Sequence, residues 1–197
     1  MDRHTGAEAV RFARSVVMAE VSFEPIPPPL TRGEFSMNRG AFVTLSTYPS
    51  GELRGCIGYP YPTMPLGRVL VESARSACHD PRFPDLEGDE ARAVTVEVTI
   101  LSPPVSIGSG ESLPGRIVVG RDGLMIECMG RRGLLLPQVP LEWGWDAMGY
   151  LDALCDKAGL PRGVWSRPDC RVYSFTGEVF SETVPFGDVN RLDSNGL

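Results

Sequence analysis

The sequence predicts an α+β fold, with mainly antiparallel sheet flanked by about three helices. Strand-like runs follow one another through tight turns, which favours antiparallel neighbours over long crossover connections. One run alternates Val94, Val96, Val98 and Ile100 with Thr95, Glu97 and Thr99, the period of a half-buried strand. Three other stretches repeat their apolar residues at helical spacing.

Thr5-Gly6-Ala7-Glu8 has the form of a capping box, and Ala9, Phe12, Ala13, Val16 and Val17 follow at helical intervals. Together they predict a first helix over about residues 5–21, ended by the stiff segment Pro25 to Pro29. Ala41 to Tyr48 reads as a strand, and Pro49-Ser50-Gly51 turns it into a second strand carrying Arg54 and Cys56. Tyr59-Pro60-Tyr61-Pro62 cannot continue a central strand and reads as a loop. Pro65 suits the start of a second helix, whose apolar face holds Leu66, Val69, Leu70, Ala74, Ala77 and Cys78. That helix ends before Pro81.

After the Val94 strand, Pro103-Pro104 breaks the chain and Gly108 to Gly115 reads as a surface loop. Ile117 to Val119, Leu124 to Cys128 and Gly133 to Leu136 are expected as short strands, with turns at Arg121-Asp122-Gly123 and Gly130-Arg131-Arg132. Asp146 suits the N-cap of a third helix running to Ala158, stopped by Gly159 and Pro161. Val172 to Phe180 reads as a last strand, and residues 183–197 as a tail.

At 197 residues the chain suits one large domain or two small lobes. A net charge of −6 argues against non-specific wrapping of nucleic acid. Lys157 is the only lysine; the other 18 positive charges are arginines. Met1 to Glu20 is charged and amphipathic, unlike a signal peptide, and no apolar run reaches the length of a membrane span. Five cysteines are widely and irregularly spaced with no CxxC, so all five are expected as free thiols in a reducing cytoplasm. With two histidines there is no His-rich metal site, and no phosphate-binding glycine motif occurs, so no metal and no cofactor is expected.

The densest local signal is Leu53-Arg54-Gly55-Cys56-Ile57-Gly58. Two glycines in one strand mark a place where backbone or ligand comes close. This run resembles the signature hexapeptide of the AMMECR domain family, uncharacterised proteins of archaea, bacteria and eukaryotes. Its human relative is named for the Alport syndrome, midface hypoplasia and elliptocytosis deletion region. Asp80-Pro81-Arg82-Phe83, Val96-Glu97-Val98-Thr99, Leu136-Pro137-Gln138-Val139, Gly144-Trp145-Asp146 and Lys157-Ala158-Gly159-Leu160-Pro161 resemble further family blocks, in family order. The resemblance implies a single domain of two sublobes, one around residues 52–105, with the hexapeptide facing a cleft between them. It also implies association with a Memo-like protein and a radical-SAM protein, although the CxxxCxxC of a radical-SAM cluster is absent here.

Cys56 is the candidate nucleophile, since a thiol beside the Arg54 guanidinium gains thiolate character. The alternative is a small apolar strand residue. Glu97, a carboxylate in mid-strand, is either a general base or a group on a solvent-facing surface. Asp80 and Arg82 flank a proline, as ligand-binding groups with Asp80 a proton carrier, or as a local ion pair fixing a turn. Arg54, Gly55, Gly58, Arg82 and Gln138 complete the candidate binding set. Gln138 and Trp143 offer a recognition ledge; Trp143 and Trp145 serve equally well as packing residues. His79 is the one histidine placed to form a dyad with Cys56, outside the family pattern. Two functions follow: an enzyme or enzyme component acting on a small anionic or nucleobase-type substrate, or a non-catalytic module docking protein or RNA through Leu53–Gly58.

Overall fold

The computed structural model describes residues 1–192. The chain divides into two units, one formed by Met1–Leu101 with the segment from Glu178, the other by Ser102–Gly177. Each has its own antiparallel pairings and its own core.

The first unit holds a five-stranded sheet in the order β2-β1-β3-β8-β9. Its strands are β1 (Ala41–Thr47), β2 (Leu53–Tyr59), β3 (Val94–Leu101), β8 (Gly177–Glu182) and β9 (Val189–Leu192). Helices α1 (Arg3–Val21) and α2 (Leu66–Cys78) cover one face, and a single turn, α3 (Gly88–Ala91), precedes β3. Alternation sorts the sheet residues. Val43, Leu45, Val96 and Val98 are fully buried with Val10, Ala13, Val69 and Leu70 of the helices, while Thr44 and Glu97 stay half-buried on the other face. Each such buried Val or Leu contributes about 1.5–3 kcal/mol relative to exposure.

Two glycines set how closely the helices approach. A Cβ at Gly55 would overlap the Ala77 carbonyl of α2, and one at Gly67 would overlap the Leu30 carbonyl. α1 begins earlier than its apparent capping box, because Asp2 is the N-cap and accepts the Thr5 amide at 2.8 Å.

α1 is tied to the sheet by Arg14, whose side chain is buried against Glu182 of β8. Arg14 Nε donates to Glu182 Oε1 at 3.0 Å, Nη1 to the Ala91 carbonyl at 2.8 Å, and Nη2 to the Val94 carbonyl at 2.6 Å. Glu182 Oε2 also accepts the Val96 amide at 2.9 Å.

The second unit holds a four-stranded sheet in the order β4-β7-β5-β6. Its strands are β4 (Val105–Gly108), β5 (Gly123–Cys128), β6 (Arg131–Leu135) and β7 (Arg171–Phe175). Helix α5 (Ala147–Lys157), capped by Asp146, follows the short α4 (Val139–Trp143) and packs Tyr150, Leu151 and Leu154 against Leu124, Ile126 and Val172.

Three expectations are corrected here. Ile117–Val119 forms no strand; the neighbouring Val105–Gly108 does, as an edge strand on β7. The expected final strand is two strands in different sheets, broken at Thr176. Residues 189–192 of the expected tail pair with β8, while residues 193–197 lie outside the described residues.

The cysteine expectation is also corrected. Cys128 and Cys170 form a disulfide with a Cα–Cα separation of 4.5 Å. The β5–β7 register pairs Glu127 with Arg171, which brings the flanking Cys128 and Cys170 opposite each other. That pairing spans 42 residues of sequence, so linear spacing conceals it. Cys56 is half-buried, and Cys78 and Cys155 are buried.

Two outcomes are expected. Arg14→Ala leaves the Glu182 carboxylate buried without its partner and destabilises the fold by about 3–5 kcal/mol. Urea denaturation measures this, and a loss under about 1 kcal/mol would refute the tie. Alkylation of the denatured, unreduced protein should label three cysteines, Cys56, Cys78 and Cys155. Labelling of all five would remove the disulfide.

Candidate functional site

β2 is an edge strand, and its free edge is closed at Cys56 by side chains instead of another strand. The Cys56 amide donates to Asp80 Oδ2 at 2.9 Å, and its carbonyl accepts from Arg82 Nη2 at 3.3 Å. Asp80 also accepts the Arg82 amide at 3.0 Å and both Nε and Nη2 of Arg82, at 3.0 and 2.7 Å. Pro81 turns the chain between them. Asp80 is therefore 1% exposed yet fully partnered, whereas Arg82 is 55% exposed. The Arg82 guanidinium, reinforced by the Cys56 and Arg82 amides, outweighs the burial penalty and holds the Asp80 carboxyl well below the usual carboxylate range.

With the Cys56 amide and carbonyl turned outward, its pairing with Thr44 is the close kind that lacks ladder hydrogen bonds. Thr44 Oγ1 accordingly lies 3.2 Å from the Cys56 sulfur and donates to it. Thr44 is also the register partner of Glu97 on β3. Cys56, Thr44 and Glu97 thus form a row across three strands, on the face opposite the helices. Strand spacing puts the outer two Cα atoms about 10 Å apart, with the threonine between them. Burial raises the Glu97 pKa, and no ion pair within its unit offsets this among the described residues.

Arg54 does not join this row. Its Nη2 donates to Glu90 Oε2 at 2.8 Å and to the Pro84 carbonyl at 2.9 Å, while Nε pairs with Glu90 Oε1. The guanidinium beside Cys56 is Arg82. Phe83 lies between the two arginines, its ring centroid 5.8 Å from Arg54 and 5.6 Å from Arg82.

His79 is engaged on both ring nitrogens, Nε2 with Glu20 at 3.1 Å and Nδ1 with Asp85 at 2.9 Å, which leaves none for Cys56. Gly55 and Gly58 have packing reasons: Gly55 faces the Ala77 carbonyl, and a Cβ at Gly58 would overlap the Phe42 ring. Gln138 stands at the start of α4, in the other unit. Among the described residues, no three His, Cys, Asp or Glu side chains are gathered as a metal site. The residues that sequence reasoning missed are Thr44 and Glu90. Thr44 shares the polar phase of β1 as Glu97 does of β3, so aligning those two alternations is the signal that finds it.

Residues 10–180 match the AMMECR1 family model. The chain belongs to the AMMECR1 family. It is similar to Protein MJ0810 of Methanocaldococcus jannaschii, 46% identical over 187 residues, which cover 93% of each chain. It is 45% identical to an Aquifex aeolicus protein over 168 residues, 84% of this chain and 86% of that one. The crystal structure of uncharacterized protein PH0010 from Pyrococcus horikoshii matches with a TM-score of 0.76 at 42% identity, covering 98% of both chains. The Leu53–Gly58 run thus lies in the edge strand β2, and Asp80-Pro81-Arg82 is its clamp.

The two carboxyls should act oppositely on stability. The depressed Asp80 pKa contributes stability that is full above its ordinary value of 3.8 and is lost as pH falls toward the folded value. Asp80→Asn should cost about 2–4 kcal/mol at neutral pH and flatten the loss of stability below about pH 4. For Glu97 the folded pKa is raised, so its contribution is present below 4.5 and lost as pH rises through the folded value. Glu97→Gln should therefore stabilise the protein at pH 7–8, by up to about 1 kcal/mol. Urea melts across pH 3–8 decide both, and an Asp80→Asn protein as stable as the parent would dismiss the clamp.

Proposed function

We propose that this AMMECR1 protein is an enzyme or enzyme component in which Cys56 is nucleophile or covalent carrier. The observation that supports it is the row of thiol, hydroxyl and carboxyl across β2, β1 and β3. Thr44 donates a hydrogen bond that supports the Cys56 thiolate before it attacks, and Glu97, its pKa raised by burial, is the proton-transfer group of the same row. Asp80 is a positioning residue: a carboxylate held strongly ionised is a poor proton carrier, but it fixes the Cys56 backbone. Arg82 replaces Arg54 as the cation for a small anionic substrate, since its guanidinium is 55% exposed although paired with Asp80, whereas that of Arg54 is 11% exposed and held by Glu90.

The docking reading is weakened by the same geometry. A partner strand adding to β2 would have to displace both the Asp80 carboxylate and Arg82 at Cys56. The Memo-like and radical-SAM partners that the resemblance implies are part of this proposal.

Cys56 should be alkylated fastest of the free cysteines near pH 7, because burial raises Cys78 to about 12 and also raises Cys155. Thr44→Val should slow Cys56 labelling about five- to tenfold, by removing a hydrogen bond to developing charge. Arg54→Lys should change it little. Mass-spectrometric mapping of a time course reads out all three, and a Cys56 as slow as Cys78 rejects the nucleophile. For function, a deletion strain complemented by Cys56→Ala should show the same metabolite changes as the deletion itself.

A further inference from the structure

The second unit carries a surface feature separate from the Cys56 row. Trp143 and Trp145 stack with centroids 5.8 Å apart and planes 15° from parallel. Gly144 between them has φ +65°, a left-handed turn that ends α4 and lets both indoles lie against each other. The inner ring packs on the core of this unit, but Trp143 is 69% exposed. A packing role accounts for Trp145 and leaves the outer indole face unexplained.

Trp143 and Trp145 both line a groove of about 470 Å³, mostly apolar, whose rim carries Asp152, Asp156, Lys157 and Arg162. The volume falls in the range of small-molecule sites. The rim charges are unequally available. Asp152 Oδ1 is occupied by the Gly163 amide at 3.0 Å and the Trp165 indole N–H at 2.9 Å. Asp156 is neutralised by Arg162, whose Nε and Nη2 reach one carboxylate oxygen at 2.9 and 2.7 Å. Lys157 has no ion pair among the described residues of its unit, and Arg162 keeps Nη1 free of hydrogen bonds there.

We propose that this groove binds a small molecule joining a planar aromatic ring to an anionic group. The ring stacks on Trp143, and the anion meets Lys157 and the Nη1 edge of Arg162. The second oxygen of Asp152 is left to accept an N–H from the ring.

The test is calorimetric titration of the whole protein with adenosine monophosphate, adenosine, ribose 5-phosphate and phenylacetate. Adenosine lacks the anion and ribose 5-phosphate lacks the aromatic ring, while phenylacetate carries a carboxylate in place of phosphate. The monophosphate should bind at least about fivefold more tightly than either of its fragments. Trp143→Ala should weaken it between about five- and a hundredfold, the range for loss of one stacking surface. Lys157→Gln should lower it at least about threefold toward the level of adenosine while leaving adenosine unchanged. If phenylacetate binds and the monophosphate does not, with the same two dependences, the carboxylate-bearing ring is the ligand type and the proposal holds. Trp143→Phe, which keeps a ring, guards against misfolding and should retain most binding. The proposal is overturned if neither aromatic anion binds below about 5 mM. It is equally overturned if ribose 5-phosphate matches the monophosphate and Trp143→Ala changes nothing. Neither result bears on Cys56, because the labelling experiments do not involve this groove.

Discussion

The arrangement around Cys56 depends on one buried carboxylate. An edge strand ends in unpaired amides and carbonyls, and each left buried and unmet costs roughly as much as a lost hydrogen bond. Asp80 and Arg82 meet the pair at Cys56 as a neighbouring strand would, one accepting from the amide and the other donating to the carbonyl. This closes the strand at Cys56 without a further strand. It also explains why Asp80 can be buried at all: four N–H groups and a formal positive charge answer its two oxygens.

The same clamp links two blocks that the sequence shows only as separate motifs. Gly55 is small because α2 passes over it, with the Ala77 carbonyl in the space a side chain would occupy. Ala77 is followed closely by Asp80, so the approach of α2 to β2 is what delivers the carboxylate to Cys56. Glycine, helix end and aspartate form a single device. Substituting any one of them changes the placement of the others, which makes packing and site geometry inseparable on this edge.

Much of this was legible in the sequence where the signal is local. The β3 alternation, the α2 apolar face and the Asp146 cap all act over a few residues, and each stands as expected. The failures are non-local. The pairing of Cys128 with Cys170 depends on which strand β5 has as neighbour, and Arg54 turns toward Glu90, 36 residues away, instead of toward its own thiol. Adjacency in sequence suggested an Arg54–Cys56 partnership, but Arg54 is held by Glu90 and Pro84 while a different arginine, Arg82, reaches the Cys56 carbonyl. Thr44 escaped for the same reason, since only register makes it a neighbour of both Cys56 and Glu97.

Register also gives Glu97 its meaning. A carboxyl in mid-strand with no ion pair in its unit among the described residues is a net cost to folding at neutral pH, because burial disfavours its charge. Serine or threonine would satisfy the strand at lower cost, as Thr95 and Thr99 do on the same face. A group whose cost is not repaid in packing is where a fold departs from local consistency, and such departures concentrate at functional sites. The hydroxyl between Glu97 and Cys56 completes the argument, since it already points its hydrogen bond at the sulfur. On the proposed function, the face away from the helices is the side of this sheet on which chemistry takes precedence over stability.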